Sequence, residues 1–256
     1  AQYYFDGSGK KLTSCWIGNS YVLSNGKLAI DQWIGDCYVD ENGLWVPSLH
    51  AYEWKTVDGK KKYYSNKTHS FVTNQLIQID GSYYYFDSEG SVATGFTTID
   101  QNTYYFNASG KMATGWIQID GTYYFFNASG IMKTSSWQGN YYLNSEGKML
   151  VNAFTPDGYY VGSDGAYYTN RWILNDGKYY YTNGLGFVVK NTWIGAYYLG
   201  SDGVMYTNAF TPDGYYVNKD GVYLRNQKIT VDGKDYYLNA SGTIAKNQWV
   251  GDYFID

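Results

Sequence analysis

Trp116-Ile117-Gln118-Ile119-Asp120-Gly121-Thr122-Tyr123-Tyr124-Phe125-Phe126 is the stretch on which the fold turns. Residues of high strand propensity flank Asp-Gly, the favoured pair for a two-residue type I′ turn, so the stretch reads as a β-hairpin. Placing Asp120-Gly121 in the turn pairs Ile119 with Thr122, Gln118 with Tyr123, Ile117 with Tyr124 and Trp116 with Phe125. Side chains alternate with period two along a strand. Trp116, Gln118, Tyr123 and Phe125 therefore share one face, and Ile117, Ile119, Tyr124 and Phe126 the other. The second face is apolar apart from the Tyr124 hydroxyl and Thr122, and is expected in the core.

The unit recurs along the whole chain. Its anchors, aromatic or Ile, are Trp16, Trp33, Trp54, Ile77, Phe96, Trp116, Trp137, Phe154, Trp172, Trp193, Phe210, Ile229 and Trp249, spaced 17 to 23 residues apart. That interval is too short for two helices and suits one hairpin plus a connector. Shorter units keep the register: Trp137 faces Tyr142 across Gly139-Asn140, and Trp193 faces Tyr198 across Gly195-Ala196. Two near-copies containing Phe154-Thr155-Pro156-Asp157-Gly158 and Phe210-Thr211-Pro212-Asp213-Gly214 lie 56 residues apart, an interval that holds three hairpins. A lone hairpin is marginal in water, so each must bury its apolar face against its neighbours. The expected fold is an all-β solenoid of about 13 stacked hairpins, roughly three per superhelical turn. It forms one continuous repeat domain over residues 1–256, with Pro47 to Lys62 as a kink or inserted loop.

Composition narrows the function. The 256 residues include 32 Tyr, 11 Phe, 9 Trp and 30 Gly, with 16% charged residues and a net charge of −4. So many aromatics at so low a charge exclude disorder. The absence of a basic cluster argues against nucleic acid. No apolar run approaches a membrane span, and no leader opens the sequence, so the chain reads as a segment that has lost its leader or been cut from a longer protein. It opens in mid-hairpin at Tyr3-Tyr4-Phe5, and a catalytic or adhesive domain is expected beyond either end.

The stretch Gly115-Trp116 through Gly121-Thr122-Tyr123-Tyr124-Phe125-Phe126-Asn127-Ala128-Ser129-Gly130-Ile131-Met132 resembles the cell-wall-binding repeats of Gram-positive surface proteins. That superfamily includes choline-binding modules, glucan-binding repeats of glucansucrases and carbohydrate-binding repeats of clostridial toxins. The resemblance implies a hairpin solenoid with ligands in grooves between successive hairpins. For choline-binding members it implies a site made of the Trp of Gly-Trp, the first aromatic of the following strand, the Trp of the next repeat and often a Met. Carried over, one site uses Trp116, Tyr123, Met132 and Trp137, and another uses Trp172, Tyr179 and Trp193. Tyr83 holds the first aromatic position in a third unit, whereas Lys62, Thr103 and Asp235 stand there in others. A quaternary ammonium cage needs two or three ring faces, which most units lack.

The primary expectation is a noncatalytic module of a secreted, surface-associated protein that binds cell-wall polysaccharide or glucan between hairpins. The first alternative is a choline-binding anchor for teichoic acid, and the second a structural or protein-binding adhesin stalk. Most rings are assigned to packing. Met112, Met132, Met149 and Met205 serve either packing or an aromatic groove. Asp-Gly at Asp80, Asp120, Asp157, Asp176, Asp213 and Asp232 is read as turn chemistry, without the several carboxylates a calcium loop needs. His50 and His69 fit no catalytic pattern, and no metal or cofactor is expected. Cys15 and Cys37 are either a disulfide or two buried thiols.

Overall fold

The computed structural model describes residues 3–250 and 253–255. Among the described residues every element is a strand. Thirteen small antiparallel sheets follow one another, eleven of two strands and two of three, and no sheet closes on itself. The chain divides into two compact units, Ala1–Gly115 with Phe126–Met132 and Trp116–Phe125 with Lys133–Asp256.

Turn chemistry sets the hairpins. Asp120 and Gly121 have φ of 47° and 79°, both positive as a type I′ turn requires, and Asp80-Gly81 and Asp176-Gly177 repeat the pattern. The short hairpin of Ser136–Gln138 with Tyr141–Leu143 places positive φ on Gly139 alone, the II′ arrangement, and pairs Trp137 with Tyr142. Thr155-Pro156-Asp157-Gly158 is a turn, as its Asp-Gly pair suggests, but of another type. Only Gly158 has positive φ, and its N–H donates to the Thr155 carbonyl at 3.0 Å. Proline at the second position favours a type I turn, which frees the Asp157 side chain for another task.

The register counted from sequence holds in the long hairpins: Tyr83 pairs with Gln78, Tyr84 with Ile77 and Tyr85 with Leu76. This corrects two anchors. The residue facing the second ring is Leu76, not Ile77, and Lys228, not Ile229, which pairs with Tyr236. Ile77 belongs to the opposite face and packs on the core cluster of Ile79, Tyr84 and Phe86. Choosing the more hydrophobic neighbour shifted the anchor by one residue, and a one-residue shift changes the face.

The core lies at the end of each hairpin. Phe86, Phe106, Phe126, Leu143, Val161, Thr182, Leu199 and Val217 close their second strands and are completely buried. Each apolar one removes a side chain worth about 1.5–3 kcal/mol from water. A second turn follows. In Asn127-Ala128-Ser129-Gly130 the Asn127 side-chain oxygen accepts from the Ser129 and Ile131 N–H groups at 2.9 and 3.0 Å.

The Tyr pair works as a clasp between hairpins. Its second ring packs edge-on against the anchor of its own hairpin, as Tyr142 does on Trp137 at 5.2 Å and Tyr198 on Trp193 at 5.3 Å. Its first ring packs against the anchor of the preceding hairpin: Tyr141 on Trp116, Tyr159 on Trp137, Tyr180 on Phe154, Tyr197 on Trp172 and Tyr215 on Trp193. One dipeptide thus serves two hairpins.

One expectation is revised and one open alternative is decided. Residues 47–62 form paired strands instead of a loop: Trp45–His50 adds to Cys37–Val39, and Tyr52–Val57 pairs with Lys60–Ser65. Cys15 and Cys37, left open between a disulfide and free thiols, are both free and half-buried.

Candidate functional site

Two equivalent grooves stand out. One is lined by Trp116, Tyr123, Tyr141, Met149 and Asp164. The other has Trp172, Tyr179, Tyr197, Met205 and Asp220 at the corresponding positions, 56 residues on, with Thr207 and Lys219 at its margin. In the first, the Trp116 and Tyr141 rings meet at 5.4 Å and 78°; in the second, Trp172 and Tyr197 meet at 5.3 Å and 76°. Such near-perpendicular rings form a corner, and Tyr123 or Tyr179, each more than 40% exposed, adds a third aromatic wall.

The methionine is positioned by backbone. The Met149 N–H donates to the Tyr123 carbonyl at 2.9 Å, and the Met205 N–H to the Tyr179 carbonyl at 2.8 Å. Gly165 and Gly221 lie behind these side chains, where an added Cβ would come within 2.6 Å of Met149 Cε or Met205 Cε. Any larger residue would force the thioether to shift. Asp164 is the one charged residue lining the first aromatic box, a combination that favours a cation, and in the second Asp220 stands beside Lys219. Among the described residues, no group of three or more His, Cys, Asp or Glu side chains is placed to hold a metal ion.

The structure brings Trp116 and Tyr123 into one groove, and Trp172 and Tyr179 into the other. Met132 and Trp137 are not among the lining residues of the first. The Met132 N–H bonds the Thr103 carbonyl, so it belongs beside the Phe96 hairpin, and Trp137 stands against Tyr159 and Tyr167. Likewise Trp193 belongs to its own groove, with Tyr215 and Tyr223. The third ring comes from the clasping Tyr of the next hairpin. The Tyr-Tyr repeat was the available signal, although its first ring reads as core by alternation alone. Tyr83 is exposed, but its hairpin offers Leu76 where Trp116 stands.

Four other members of the repeat vary this corner. Trp54 and Tyr84 meet at 5.1 Å and 66°, and the register puts Lys61, not the Lys62 expected from sequence, in the Tyr123 position. The Lys61 ammonium lies 3.9 Å from the Trp54 ring centroid and 5.6 Å from that of Tyr84. At the next 56-residue step after Trp172 and Tyr179 stand Lys228 and Asp235, joined by an ion pair of 2.6 Å. In the short hairpins the indole of Trp137 donates to Asp157 Oδ2 at 2.7 Å, and that of Trp193 to Asp213 Oδ2 at 2.8 Å.

Comparison with known proteins agrees with this repeat. Two family profiles described as choline-binding repeat match, one over residues 11–45, 131–167 and 187–223 and one over 93–137. A cell wall binding repeat profile matches 74–92 and 229–244. None of the curated proteins compared with the chain matches it. Among solved structures, the chain is similar to the modular autolysin LytC of Streptococcus pneumoniae in complex with a synthetic peptidoglycan ligand. Identity is 29% and TM-score 0.59, over 85% of this chain and 53% of the autolysin chain. The chain therefore spans about half of that relative's length. It is also similar to choline binding protein F of the same organism, crystallised with a peptidoglycan analogue. There identity is 25% and TM-score 0.51, over 80% of this chain and 75% of that one. CbpJ of Streptococcus pneumoniae, 23% identical with a TM-score of 0.55 over 87% and 96% of the two chains, shares the fold. With its hairpins, its clasping tyrosines and its matched repeats taken together, the chain belongs to the superfamily of Gram-positive cell-wall-binding repeats and is a cell-wall-associated binding module.

Proposed function

We propose that this segment is a noncatalytic anchor of an exported protein, and that its Trp116 and Trp172 grooves each take the choline group of a choline-bearing wall polymer. The observation that carries the reading is Lys61. At the register-equivalent corner the chain's own ammonium lies over Trp54, so this arrangement of rings accepts a cation. Where Tyr123 and Tyr179 replace the lysine, the corner is open and has gained a ring, a thioether and a rim carboxylate. A trimethylammonium head matches such a box because its charge is spread over apolar methyl groups. The broader carbohydrate reading is compatible, since the polymer's sugars would lie along the polar margin at Thr207 and Lys219.

Choline titration followed by Trp fluorescence and thermal unfolding tests the reading. Binding to the native state alone raises the melting temperature with ligand concentration. Tyr123→Ala with Tyr179→Ala removes exposed rings, so the fold should persist while choline affinity falls about tenfold or more, the loss of roughly 1–2 kcal/mol of cation–π contact per groove. A glycan response with no choline response would instead assign the grooves to sugar alone.

A further inference from the structure

The short hairpins carry a second class of groove. Around Trp193 it is lined by Gly195, Asp213, Tyr215, Tyr223 and Ser241. Trp193, Tyr215 and Tyr223 are mutually near-perpendicular, at 73°, 84° and 76° with centroids 5.3 to 5.7 Å apart, so three ring planes bound one corner. No methionine lines it. A carboxylate and a serine hydroxyl take the polar side instead. Asp213 is fixed on both oxygens, Oδ2 by the Trp193 indole at 2.8 Å and Oδ1 by the Thr211 hydroxyl at 2.6 Å. A carboxylate has about four acceptor sites, so two such bonds orient it and leave further sites for a ligand. Partial burial pushes the Asp213 carboxyl up, but the hydrogen bonds from Thr211 and Trp193 outweigh this and hold it below the usual range, ionised near neutrality.

A near-copy 56 residues earlier shows what closes the corner. Trp137, Tyr159 and Tyr167 meet at 71°, 87° and 69°, with Asp157 bonded to the indole at 2.7 Å. There Phe187 bridges to Tyr159 and lays its ring 4.4 Å from that ring. The corresponding bridge to Tyr215 comes from Thr243, a small polar residue. The two corners differ in that side chain and at Ser241, whose counterpart 56 residues earlier is Leu185.

We propose that the Trp193 groove is a binding site for a primary ammonium group, which the three rings attract by their faces and Asp213 accepts by hydrogen bond. A quaternary head has no N–H for that carboxylate, so the site differs in chemistry from the methionine-lined grooves and stands whether or not those hold choline. The test is a titration of the whole chain with ethanolammonium, reading the indole N–H resonances assigned by single Trp→Phe variants. Ethanolammonium should shift the Trp193 resonance saturably, and ethylene glycol, its neutral counterpart, should not. Asp213→Asn should weaken the response at least tenfold, and Thr243→Phe should abolish it with the charge intact. Phe187→Thr with Leu185→Ser should create a second responding indole, Trp137, a gain that misfolding cannot imitate. Glucosamine and lysinamide serve as parallel arms: stronger binding by one identifies an amino sugar or a peptide as the natural source. Equal shifts by ethylene glycol, an unaltered response in Asp213→Asn, or no ammonium response at all would overturn the proposal.

Discussion

A type I′ turn asks both of its central residues for positive φ, and Gln101 is the residue that meets this demand least comfortably. It has φ of 67° at the place where Gly59, Gly81, Gly121, Gly177 and Gly233 stand in the other long hairpins. A residue with a Cβ strains in the left-handed region by about 1–2 kcal/mol, and glycine does not. Gln101→Gly should therefore stabilise the protein by up to about 1 kcal/mol, less than the full strain because glycine also loosens the unfolded chain. A higher urea midpoint with an unchanged denaturant slope would register it. Asp157 shows the opposite lesson at this scale. The Asp-Gly pair does lie in a turn, the preceding proline sets a different turn type, and the carboxylate in addition receives the Trp137 indole. Identical dipeptides acquire different roles because φ at the aspartate differs.

Among the elements, the long hairpin is a fixed frame whose groove depends on a few exposed positions. The frame was legible in sequence: the period-two alternation placed Trp116 and Tyr123 together and Tyr124 and Phe126 in the core, where the latter two are buried. The third wall was not legible, because it comes from the next hairpin and depends on how one hairpin turns relative to another. Exchanging the lysine for the ring found in its equivalents should convert an occupied corner into an open one. Lys61→Tyr removes the ammonium that lies 3.9 Å from Trp54 and supplies the missing aromatic wall. Calorimetric titration with choline should then count one more site per chain than the wild type. Val92 stands where Met149 and Met205 stand elsewhere, its N–H bonding the Lys61 carbonyl at 2.9 Å, so the added site should be the weaker one. An unchanged stoichiometry would mean that the three rings need the thioether to hold the ligand.

For the molecule, the 56-residue repeat multiplies sites within one compact unit, which contains both the Trp116 and the Trp172 grooves. Linked sites turn the second binding event into an intramolecular one, so avidity exceeds either affinity without any new contact. Tyr179→Ala should leave free-choline affinity at the Trp116 groove unchanged while retention on a choline-bearing polymer falls by tenfold or more. Retention that merely halved would show that the two grooves act independently. The sequence by itself determined the hairpins, their turn types, their register and the core residue that ends each second strand. All of these follow from side-chain alternation and backbone φ within some dozen residues. Only the tertiary structure decided which ring faces the anchor of the preceding hairpin, that Tyr141 and not Trp137 completes the Trp116 groove, and that Lys61 fills one corner while Asp213 charges another. Those contacts join residues of successive hairpins, and the angle between hairpins is set by the packing of all their buried faces together.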